Sequence, residues 1–330
     1  MVTRIILDTD IGTYYDDAFA TLLAAVSPEL QVEGVTTVYG DAHLRARIAR
    51  KVLDVAGRPD IPVFAGVSKP MRGYGLMFGW EGTNILTDQD TDLKVEPQHA
   101  VDFIIDTIMA NPKEITVITL GAVSNVALAI VKEPRIVENI KELVIMATVI
   151  VPIVDPKGVR RSPREEYNFN NDQIAAEIVM RSGMRITLCP VDVTLKVPMS
   201  DDQRRRVAEA GNPVSKLVTD ILDVWPWQEK HIYYTVGIPT EHTAIWLHDP
   251  LTVALVIDRT LCKTWPLNIA VEYPQVPVEH DMIIYSDVLR TVPKKLPPNM
   301  DVCLEVEAER FTEFFTERMI NAQPGRNGHV

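Results

Sequence analysis

The sequence predicts an α/β fold, with an open, mostly parallel, doubly wound sheet of the Rossmann type and helices on both faces. Apolar runs of strand length, rich in β-branched residues, alternate with stretches of helical periodicity. Strands that are apolar throughout are typical of a parallel sheet that is covered on both faces. The predicted strands are residues 5–7, 34–38, 115–120, 143–150 and 186–193, and the predicted helices are residues 44–55, 100–109, 126–131 and 172–180.

The chain is predicted to form one domain. Its 330 residues exceed the usual length of a domain, but an α/β protein can be a single domain at this size. Because no repeat, low-complexity tract or linker divides the chain, we predict one domain over residues 1–322 and a frayed tail over residues 323–330. Residues 69–97 lack periodicity and predict a long loop, and long loops are often functional. Residues 201–236 have a helical pattern, and residues 302–319 predict a strand followed by a helix.

Composition limits the partners and the location of the chain. The net charge of −12 and the pI near 5.1 argue against nucleic acid or an anionic membrane as the main partner. No apolar run approaches the length of a membrane span. The chain reaches its first strand by Ile5 without a charged and apolar leader, so we expect no secretory signal and a cytoplasmic location. Cys189, Cys262 and Cys303 are odd in number and far apart, so we expect buried free thiols.

Four carboxylates follow the first predicted strand within ten residues: Asp8, Asp10, Asp16 and Asp17. Like charges this close repel, and no Lys or Arg lies among them in the sequence. A hard divalent cation would compensate, since Ca²⁺ and Mg²⁺ prefer carboxylate oxygens. Ligands of open α/β sheets bind outside the carboxyl ends of the strands, which is where this cluster falls. The alternative is that Asp16 and Asp17 only cap the following helix.

A second acidic motif is His248-Asp249-Pro250, followed by apolar residues at helical spacing. Asp at the N-cap with Pro at the first helical position would explain Asp249 without any function, and His248 could be an ordinary buried histidine. The functional interpretation is that a histidine beside a metal-binding carboxylate serves as an acid or base near neutral pH.

Two further polar segments complete the candidate site. In the segment from Glu166 to Asp172, polar residues alternate, so they could line one side of an extended segment or could only be solvated in a surface loop. The segment from Gly121 to Asn125 follows a predicted strand, and there a backbone carbonyl could face a cation.

The order and spacing of these motifs resemble those of the inosine-uridine-preferring nucleoside hydrolases, which are Ca²⁺-dependent N-ribohydrolases. The resemblance runs from Ile5 to about Arg310. The matching segments are Asp8-Thr9-Asp10-Ile11-Gly12 with Asp16-Asp17-Ala18, the turn from Gly121 to Asn125, Glu166-Tyr167-Asn168, Pro190-Val191-Asp192-Val193-Thr194 and His248-Asp249-Pro250.

The resemblance implies roles for eight of the matched residues. The Ca²⁺ ligands would be Asp10, Asp17, Asp249 and the carbonyl oxygen of Ser124. The ribose hydroxyls would be held by Asp16, Glu166 and Asn168. Asp10 would also deprotonate the attacking water, and His248 would stand near the leaving base. This division suits the chemistry, because cleaving an N-glycosidic bond develops positive charge on the ribose and negative charge on the base.

Departures from the family pattern surround the expected substrate site. The segment Thr13-Tyr14-Tyr15 contains two extra residues, Asp41 stands where Asn is usual, and Glu81-Gly82 stands where His-Gly is common. Ala147-Thr148 replaces a Gly-Gly-Asn-like stretch, and Arg160-Arg161 stands near the place of a usual Asn. We therefore expect Tyr14, Asp41 and Glu81 to contact the substrate, and a preference for something other than plain inosine or uridine. Aromatic residues that could stack on a planar ligand or belong to the core are Trp225, Trp227, Tyr233 and Tyr234.

Two other functions stay open at the level of sequence. One is a noncatalytic, Ca²⁺-dependent binder of a ribosyl ligand on the same scaffold, which the departures favour. The other is a haloacid-dehalogenase-like phosphatase, because Asp8-x-Asp10 after a strand resembles its nucleophile and acid pair, although Gly12 stands where that motif has Thr or Val. Release of free ribose would identify the hydrolase, and release of phosphate the phosphatase. We expect a homodimer or homotetramer.

Overall fold

An eight-stranded sheet lies at the centre of the structure, and three two-stranded sheets contain the remaining strands of the described residues. The structure is a computed structural model that describes residues 2–151, 153–154, 160–161, 166–236, 244–272, 283–286 and 296–325. The strands are β1 (Thr3–Thr9), β2 (Leu30–Thr37), β3 (Val63–Ala65), β4 (Ile115–Thr119), β5 (Glu142–Met146), β6 (Ile153–Val154), β7 (Arg160–Arg161), β8 (Ile186–Cys189), β9 (Pro198–Met199), β10 (Ile245–Trp246), β11 (Cys262–Leu267), β12 (Ile269–Glu272), β13 (Ile283–Ser286) and β14 (Met300–Val306). The helices are α1 (Asp16–Val26), α2 (Ala42–Val55), α3 (Ala100–Ala110), α4 (Ser124–Lys132), α5 (Ile136–Asn139), α6 (Tyr167–Asn171), α7 (Gln173–Met180), α8 (Val191–Thr194), α9 (Asp201–Glu209), α10 (Pro213–Val236), α11 (His248–Ile257) and α12 (Ala308–Ile320).

The strand order of the main sheet is β11-β14-β8-β5-β4-β1-β2-β3. Every neighbouring pair is parallel except β11 and β14, which are antiparallel. From β1 the chain builds β2 and β3 on one side, then continues with β4 and β5 on the other. The switch in direction therefore lies between β1 and β4, where open α/β sheets open a crevice for ligands. The fold class predicted from the sequence is confirmed.

Side chains that alternate along the strands supply a core on each face of the sheet. Ile5 and Leu7 of β1 pack in the core that includes α1, α2 and α9–α12, whereas Ile6 packs in the core that includes α3, α4 and α7. This alternation is the period of two that a strand imposes on its side chains. Both faces are apolar for that reason, and the strands read as continuous hydrophobic runs.

Two predicted strands end earlier than expected. The run predicted over residues 143–150 ends at Met146, because Thr148 has a positive φ of 62° and turns the chain. The run predicted over residues 186–193 ends at Cys189, and the short helix α8 follows Pro190. Proline has no N–H group to continue the ladder. Both strands thus stop at the edge of the sheet where the acidic motifs gather.

Other expectations have mixed outcomes. Residues 69–97 contain no helix or strand in the described structure, as predicted, and the three cysteines are buried free thiols. The side chains of Arg160, Arg161, Trp225, Trp227, Tyr233 and Tyr234 lie outside the described residues. The single domain over residues 1–322 stays a prediction, as does the tail, of which residues 326–330 are not described. Among the residues that are described, no helix is long and apolar enough to cross a membrane.

Candidate active site

Three buried carboxylates converge where two helices begin. Asp16 and Asp17 lie in the first turn of α1, Asp249 lies in the first turn of α11, and the two helices pack against each other. One carboxylate oxygen of each residue lies within 4.8 Å of the others. The backbone N–H of Asp249 also donates to Oδ2 of Asp16 at 3.4 Å. The positive ends of both helix dipoles face this group and favour negative charge there.

The capping explanation of these aspartates is not supported. The N-cap residues are Tyr15 for α1 and Leu247 for α11, and neither helix has a side-chain cap hydrogen bond. Asp249 is the second residue of α11, two positions after the N-cap. The carboxylates are therefore not explained by helix initiation alone.

Asp10 borders the cluster from the loop after β1. Its carboxylate lies against Gly121, where an added Cβ would come within 2.7 Å of Oδ1. This contact spans the switch between β1 and β4, and a hydrogen bond with Asp17 connects Asp10 to the cluster. The close group of three includes Asp16, which the resemblance assigns to the ribose, and does not include Asp10, which it assigns to the ion.

Ser124 is buried at the start of α4, a few residues after Gly121. Its hydroxyl donates to Oδ2 of Asp172 at 2.6 Å, and Asp172 also accepts from the backbone N–H of Met71 at 2.9 Å. These bonds fix the turn after β4 beside the loop that follows residue 69. The carbonyl oxygen of Ser124 as a cation ligand stays a prediction.

Burial and mutual repulsion raise the pKa of every carboxyl group in the cluster. Burial raises the pKa of Asp10, and it raises that of Asp16 to about 8. Burial also raises the pKa of Asp17 and of Asp249. The negative charges of Asp10 and Asp16 raise both pKa values further. A buried carboxylate that lacks compensation takes up a proton. Hard oxygen donors in this arrangement fit Ca²⁺ or Mg²⁺, either of which would let the groups ionise.

Sequence reasoning missed one basic residue at this site. No Lys or Arg lies among the four acids in the sequence, but Arg45 of α2 is fully buried beside them, and its charge lowers the pKa of Asp10 and Asp17. Arg45 lies on the apolar face of α2 with Ala42 and Ala49. The buried residues of α2 include two arginines, Arg45 and Arg50, and a cation among the apolar residues of a helix face was the signal that could have revealed Arg45.

The segment after residue 166 is helical rather than extended, which corrects the prediction for it. Glu166 is the N-cap of α6, and its carboxylate accepts from the backbone N–H groups of Asn168 at 2.5 Å and Phe169 at 2.9 Å. Burial raises the pKa of Glu166 to about 7. The amide nitrogen of Asn168 donates to the carbonyl oxygens of Leu120 at 2.7 Å and Met146 at 2.9 Å. Asn168 thus joins the ends of β4 and β5.

His248 is buried and neutral at physiological pH, because burial lowers its pKa to about 3. Its Nδ1 lies 2.6 Å from the hydroxyl of Thr194, and the direction of this hydrogen bond depends on the tautomer of the ring. The rings of Tyr14 and Trp246 have centroids 6.1 Å and 6.3 Å from that of His248. Thr194 belongs to a motif that the sequence singled out, but its contact with His248 was not foreseen.

Tyr14 and Tyr15 have different environments. Tyr15 is 1% exposed, and its hydroxyl donates to the carbonyl oxygen of Trp246 at 2.8 Å, so it belongs to the core. Tyr14 is half-buried and stacks on Tyr15 with centroids 4.4 Å apart. Of the two tyrosines, Tyr14 is the one that combines partial exposure with proximity to His248.

The other two expected substrate contacts have local roles in the structure. Asp41 is exposed as the N-cap of α2 and accepts from the backbone N–H of Leu44 at 2.9 Å. Glu81 is half-buried and accepts from the backbone N–H groups of Phe78 at 2.7 Å and Gly79 at 2.8 Å. A contact of either residue with substrate stays a prediction.

Asp8 is unsuited to be a phosphatase nucleophile. It is fully buried, and its Oδ1 accepts from the hydroxyl of Thr36 at 2.6 Å and the amide nitrogen of Asn125 at 2.7 Å. Burial raises the pKa of Asp8 to about 7. A group enclosed in this way cannot approach a phosphoryl group in the crevice.

The fold and the site together define a class: a doubly wound α/β protein with buried carboxylates at its topological switch point and a neutral histidine beside them. The sequence model described as "Inosine-uridine preferring nucleoside hydrolase" matches residues 5–313, and the chain belongs to that family. The chain is therefore an enzyme that hydrolyses ribonucleosides, and the resemblance stated from the motifs is confirmed.

Known relatives agree with this assignment. The chain is 34% identical to an inosine-uridine preferring nucleoside hydrolase of Leishmania major over 82% of this chain and 84% of the relative. It is 29% identical to a pyrimidine-specific ribonucleoside hydrolase of Citrobacter koseri over 97% and 98% of the two chains. The solved purine-preferring ribonucleoside hydrolase of Gardnerella vaginalis superposes with a TM-score of 0.80 at 27% identity, covering 97% of this chain and 99% of that chain.

Proposed function

We propose that the chain hydrolyses the N-glycosidic bond of a ribonucleoside or related ribosyl compound with the help of Ca²⁺. The ligands would be Asp10, Asp17, Asp249 and the carbonyl oxygen of Ser124. The observation that carries the proposal is the convergence of buried carboxylates within 4.8 Å at the start of two helices. When bound, the ion would neutralise these carboxylates, lower the pKa of water and orient the sugar diol.

Asp10 would take the proton from the attacking water. Its carboxylate lies at the switch between β1 and β4 against Gly121, where the absence of a side chain leaves it room. Burial keeps its basicity high, since the pKa of Asp10 is raised. A base needs to lie within hydrogen-bond reach of the proton that it removes, and a fixed position at the floor of the crevice meets that need.

Asp16, Glu166 and Asn168 would hold the ribose hydroxyls. Glu166 is oriented by two backbone N–H groups, and Asn168 by two carbonyl oxygens. Such residues need little reorganisation when the substrate arrives, which favours catalysis. Carboxylates beside the sugar ring also stabilise the positive charge that develops there in the transition state.

His248 would act on the leaving base. Thr194 has one hydroxyl hydrogen and two neighbours, His248 Nδ1 at 2.6 Å and the carbonyl oxygen of Val191 at 3.3 Å. We assign the hydrogen to the shorter contact, which leaves the proton of the imidazole on Nε2. A neutral imidazole in this tautomer can donate a hydrogen bond to a base that gains negative charge. The half-buried ring of Tyr14 lies beside it and would pack on the base.

The test is a reducing-sugar assay on inosine, adenosine, guanosine, uridine and cytidine, with chelator and with added Ca²⁺. We expect free ribose from at least one nucleoside, loss of the activity in chelator and recovery with Ca²⁺. Asp249→Asn should abolish the recovery. Asp258→Asn is a matched control, because Asp258 lies at the opposite end of α11 and pairs with Arg310 near the surface.

Two results would contradict the proposal. Activity that is unchanged in chelator would remove the ion from the reaction. A complete absence of ribose release would leave a ribosyl binder on this scaffold, and equilibrium dialysis with the same nucleosides would then detect it. We also propose a homodimer or homotetramer in the cytoplasm, which rests on the sequence expectations alone and is checked by light scattering and by fractionation.

A further inference from the structure

Arg45 is the largest fully buried side chain in the described part of the molecule. Its Nε donates to the carbonyl oxygen of Tyr39 at 2.7 Å. One terminal nitrogen, Nη1, donates to the carbonyl oxygens of Asp10 and of Ile11, the latter at 3.0 Å. The other, Nη2, donates to the hydroxyl of Thr13 at 3.1 Å. One guanidinium group therefore binds the loop after β1 at three points, the carbonyl oxygens of Asp10 and Ile11 and the hydroxyl of Thr13.

These acceptors are unusual for a buried cation. In the described structure no carboxylate oxygen accepts a hydrogen bond from Arg45; its oxygen acceptors are backbone carbonyls and one hydroxyl. A buried charge is costly unless it is paired and hydrogen-bonded. Here the hydrogen bonds satisfy the guanidinium group, and the nearby acidic cluster supplies the opposite charge at longer range.

The bonds of Arg45 extend beyond the loop that carries Asp10. Thr13 connects Arg45 to Glu81, because its hydroxyl accepts from Arg45 and donates to Oε1 of Glu81 at 3.2 Å. The indole N–H of Trp80 donates to the carbonyl oxygen of Thr13 at 3.0 Å, and Nη2 of Arg45 lies 3.5 Å from the sulfur of Met77. Arg45 thus joins three connections: the loop after β1, the turn at Tyr39 and the long loop of residues 69–97.

We propose that Arg45 is a positioning residue for the cation site, and that it acts through the shape of its guanidinium fork rather than through its charge. By binding the carbonyl oxygens of Asp10 and Ile11, the fork sets the path of the backbone that leads from Asp10 to Asp17. The two carboxylates are then held on the same side of the crevice before an ion arrives. A lysine keeps the charge but has no planar fork, so it cannot bind several acceptors of one loop in the same geometry. This inference rests on the proposed cation-dependent function.

Arg50 offers a matched control on the same helix. It is 4% exposed, and its terminal nitrogens donate to the carbonyl oxygens of Ile61 at 2.6 Å and Arg58 at 2.7 Å. Like Arg45, it is a buried arginine that binds backbone carbonyls. Unlike Arg45, it binds the connection between α2 and β3, and none of these acceptors belongs to the acidic loop.

The experiment is calorimetric titration of the full chain with Ca²⁺, together with thermal unfolding, for the wild type and for Arg45→Lys, Arg45→Met and Arg50→Lys. We expect both Arg45 variants to bind Ca²⁺ at least tenfold more weakly than the wild type. We expect Arg45→Lys and Arg50→Lys to lower the unfolding temperature by similar amounts. We expect Arg50→Lys to keep the wild-type affinity for Ca²⁺ within about twofold. Thr13→Val removes one acceptor of the fork and should weaken binding about threefold in a chain that keeps Arg45.

The outcomes separate this inference from the proposed function. Wild-type affinity in Arg45→Lys would overturn the role of the fork, because charge alone would then suffice. An equal loss in Arg50→Lys would overturn it too, because general destabilisation would then explain the effect. If the Arg45 variants do not fold, unchanged affinity in Thr13→Val overturns the inference and weakened affinity supports it. A wild type that binds no Ca²⁺ would overturn the proposed function itself, and this inference with it.

Discussion

The hydroxyl of Thr194 lies 2.6 Å from Nδ1 of His248, and this contact joins the short helix α8 to the first residue of α11. Because Thr194 holds one ring nitrogen, it decides which face and which nitrogen His248 presents to the crevice. A histidine that is neutral at physiological pH depends on such a neighbour, since the two ring nitrogens then have different roles. The orientation of His248 therefore depends on Thr194, which lies in the short helix that follows β8.

Replacing His248 with Ala should slow nucleosides with poor leaving groups by about 10²–10⁴-fold, the usual contribution of a proton donor. It should slow nitrophenyl ribosides far less, because their leaving group needs no protonation. Thr194→Val should show the same pattern in weaker form, and Thr194→Ser should retain the wild-type ratio. Steady-state kinetics on both substrate types measure this. Equal losses on the two types would make His248 structural.

Asp10→Asn should reduce turnover by about 10²–10⁴-fold while the chain stays folded, since an amide cannot accept the proton of water. The substitution changes little volume, so the unfolding temperature should stay close to that of the wild type. Single-turnover kinetics and a thermal scan on the same preparation measure both quantities. Activity within a few-fold of the wild type would assign the base to another residue.

The stability of the protein should fall with rising pH in the absence of Ca²⁺ and depend much less on pH in its presence. Burial raises the pKa of Glu166 from 4.5 to about 7 and that of Asp16 from 3.8 to about 8. Since the folded pKa is the higher one, this stability is present below the unfolded pKa and is lost as the pH rises through the folded pKa. In chelator the unfolding temperature should therefore fall between about pH 6.5 and about pH 8.

His248 does not obscure this window. Its folded pKa of about 3 is below its usual 6.5, so its contribution is lost only as the pH falls below 6.5. Excess Ca²⁺ should hold the carboxylates ionised and flatten the slope above pH 6.5. Thermal scans in matched buffers with chelator or with Ca²⁺ give both slopes. A chelated protein whose unfolding temperature is constant or rises over that range would refute the prediction.

Tyr14 and Tyr15 should respond differently to truncation. Tyr14→Ala should lower kcat/KM up to about tenfold with little loss of stability, because stacking is worth about 0.5–1.5 kcal/mol beyond buried area. Tyr15→Ala should instead destabilise the fold by about 3–5 kcal/mol, as the loss of a buried aromatic ring does.

We also expect the wild type to have weak activity on plain inosine and uridine. A wild-type kcat/KM above about 10⁴ M⁻¹s⁻¹ on either nucleoside would contradict that specificity.

Thr148→Gly should stabilise the protein. Thr148 has a φ of 62°, and left-handed backbone is unfavourable for a β-branched residue. Relief of about 1–3 kcal/mol of strain, set against the entropy of glycine of about 0.5–1 kcal/mol, leaves a gain of about 1 kcal/mol. Lys113→Gly is the comparator, with a φ of 64° at a site remote from the crevice. Chemical denaturation measures both, and a loss of stability in Thr148→Gly would show that its side chain serves the site.

Local sequence patterns were sufficient to predict the fold and the approximate place of the acids. The strand that ends before Asp10 and the helix that begins at Asp16 follow from hydrophobic periodicity, and the carboxyl end of a parallel strand is a general location for ligands. The resemblance alone placed Asp249 in the same site as Asp16, because the two residues are 233 positions apart in the sequence. No local pattern encodes a contact of that separation.

What could not be predicted depends on tertiary packing. Arg45 reaches Asp10 across 35 residues, from a helix whose apolar face gave the only local signal. The early end of β5 results from the turn at Thr148, whose chemistry gives no warning because threonine favours strands. The helical start after Glu166 was also missed, although Glu166 caps it with two hydrogen bonds. In each case a tertiary or capping contact outweighed the pattern that a short window shows.

The two hydrogen bonds of Asn168 have a consequence for how this crevice can change. Its amide nitrogen binds carbonyl oxygens at the ends of β4 and β5, so the crevice wall beside it cannot move outward without breaking two hydrogen bonds to the central sheet. The wall near Tyr14 is built differently, because Tyr14 is half-buried in a connection outside the sheet and stacks on the ring of Tyr15. New substrates are therefore more easily gained by enlarging or reshaping the aromatic side than by admitting a bulkier sugar. Directed evolution of this chain should collect its productive changes around Tyr14 and leave residue 168 untouched.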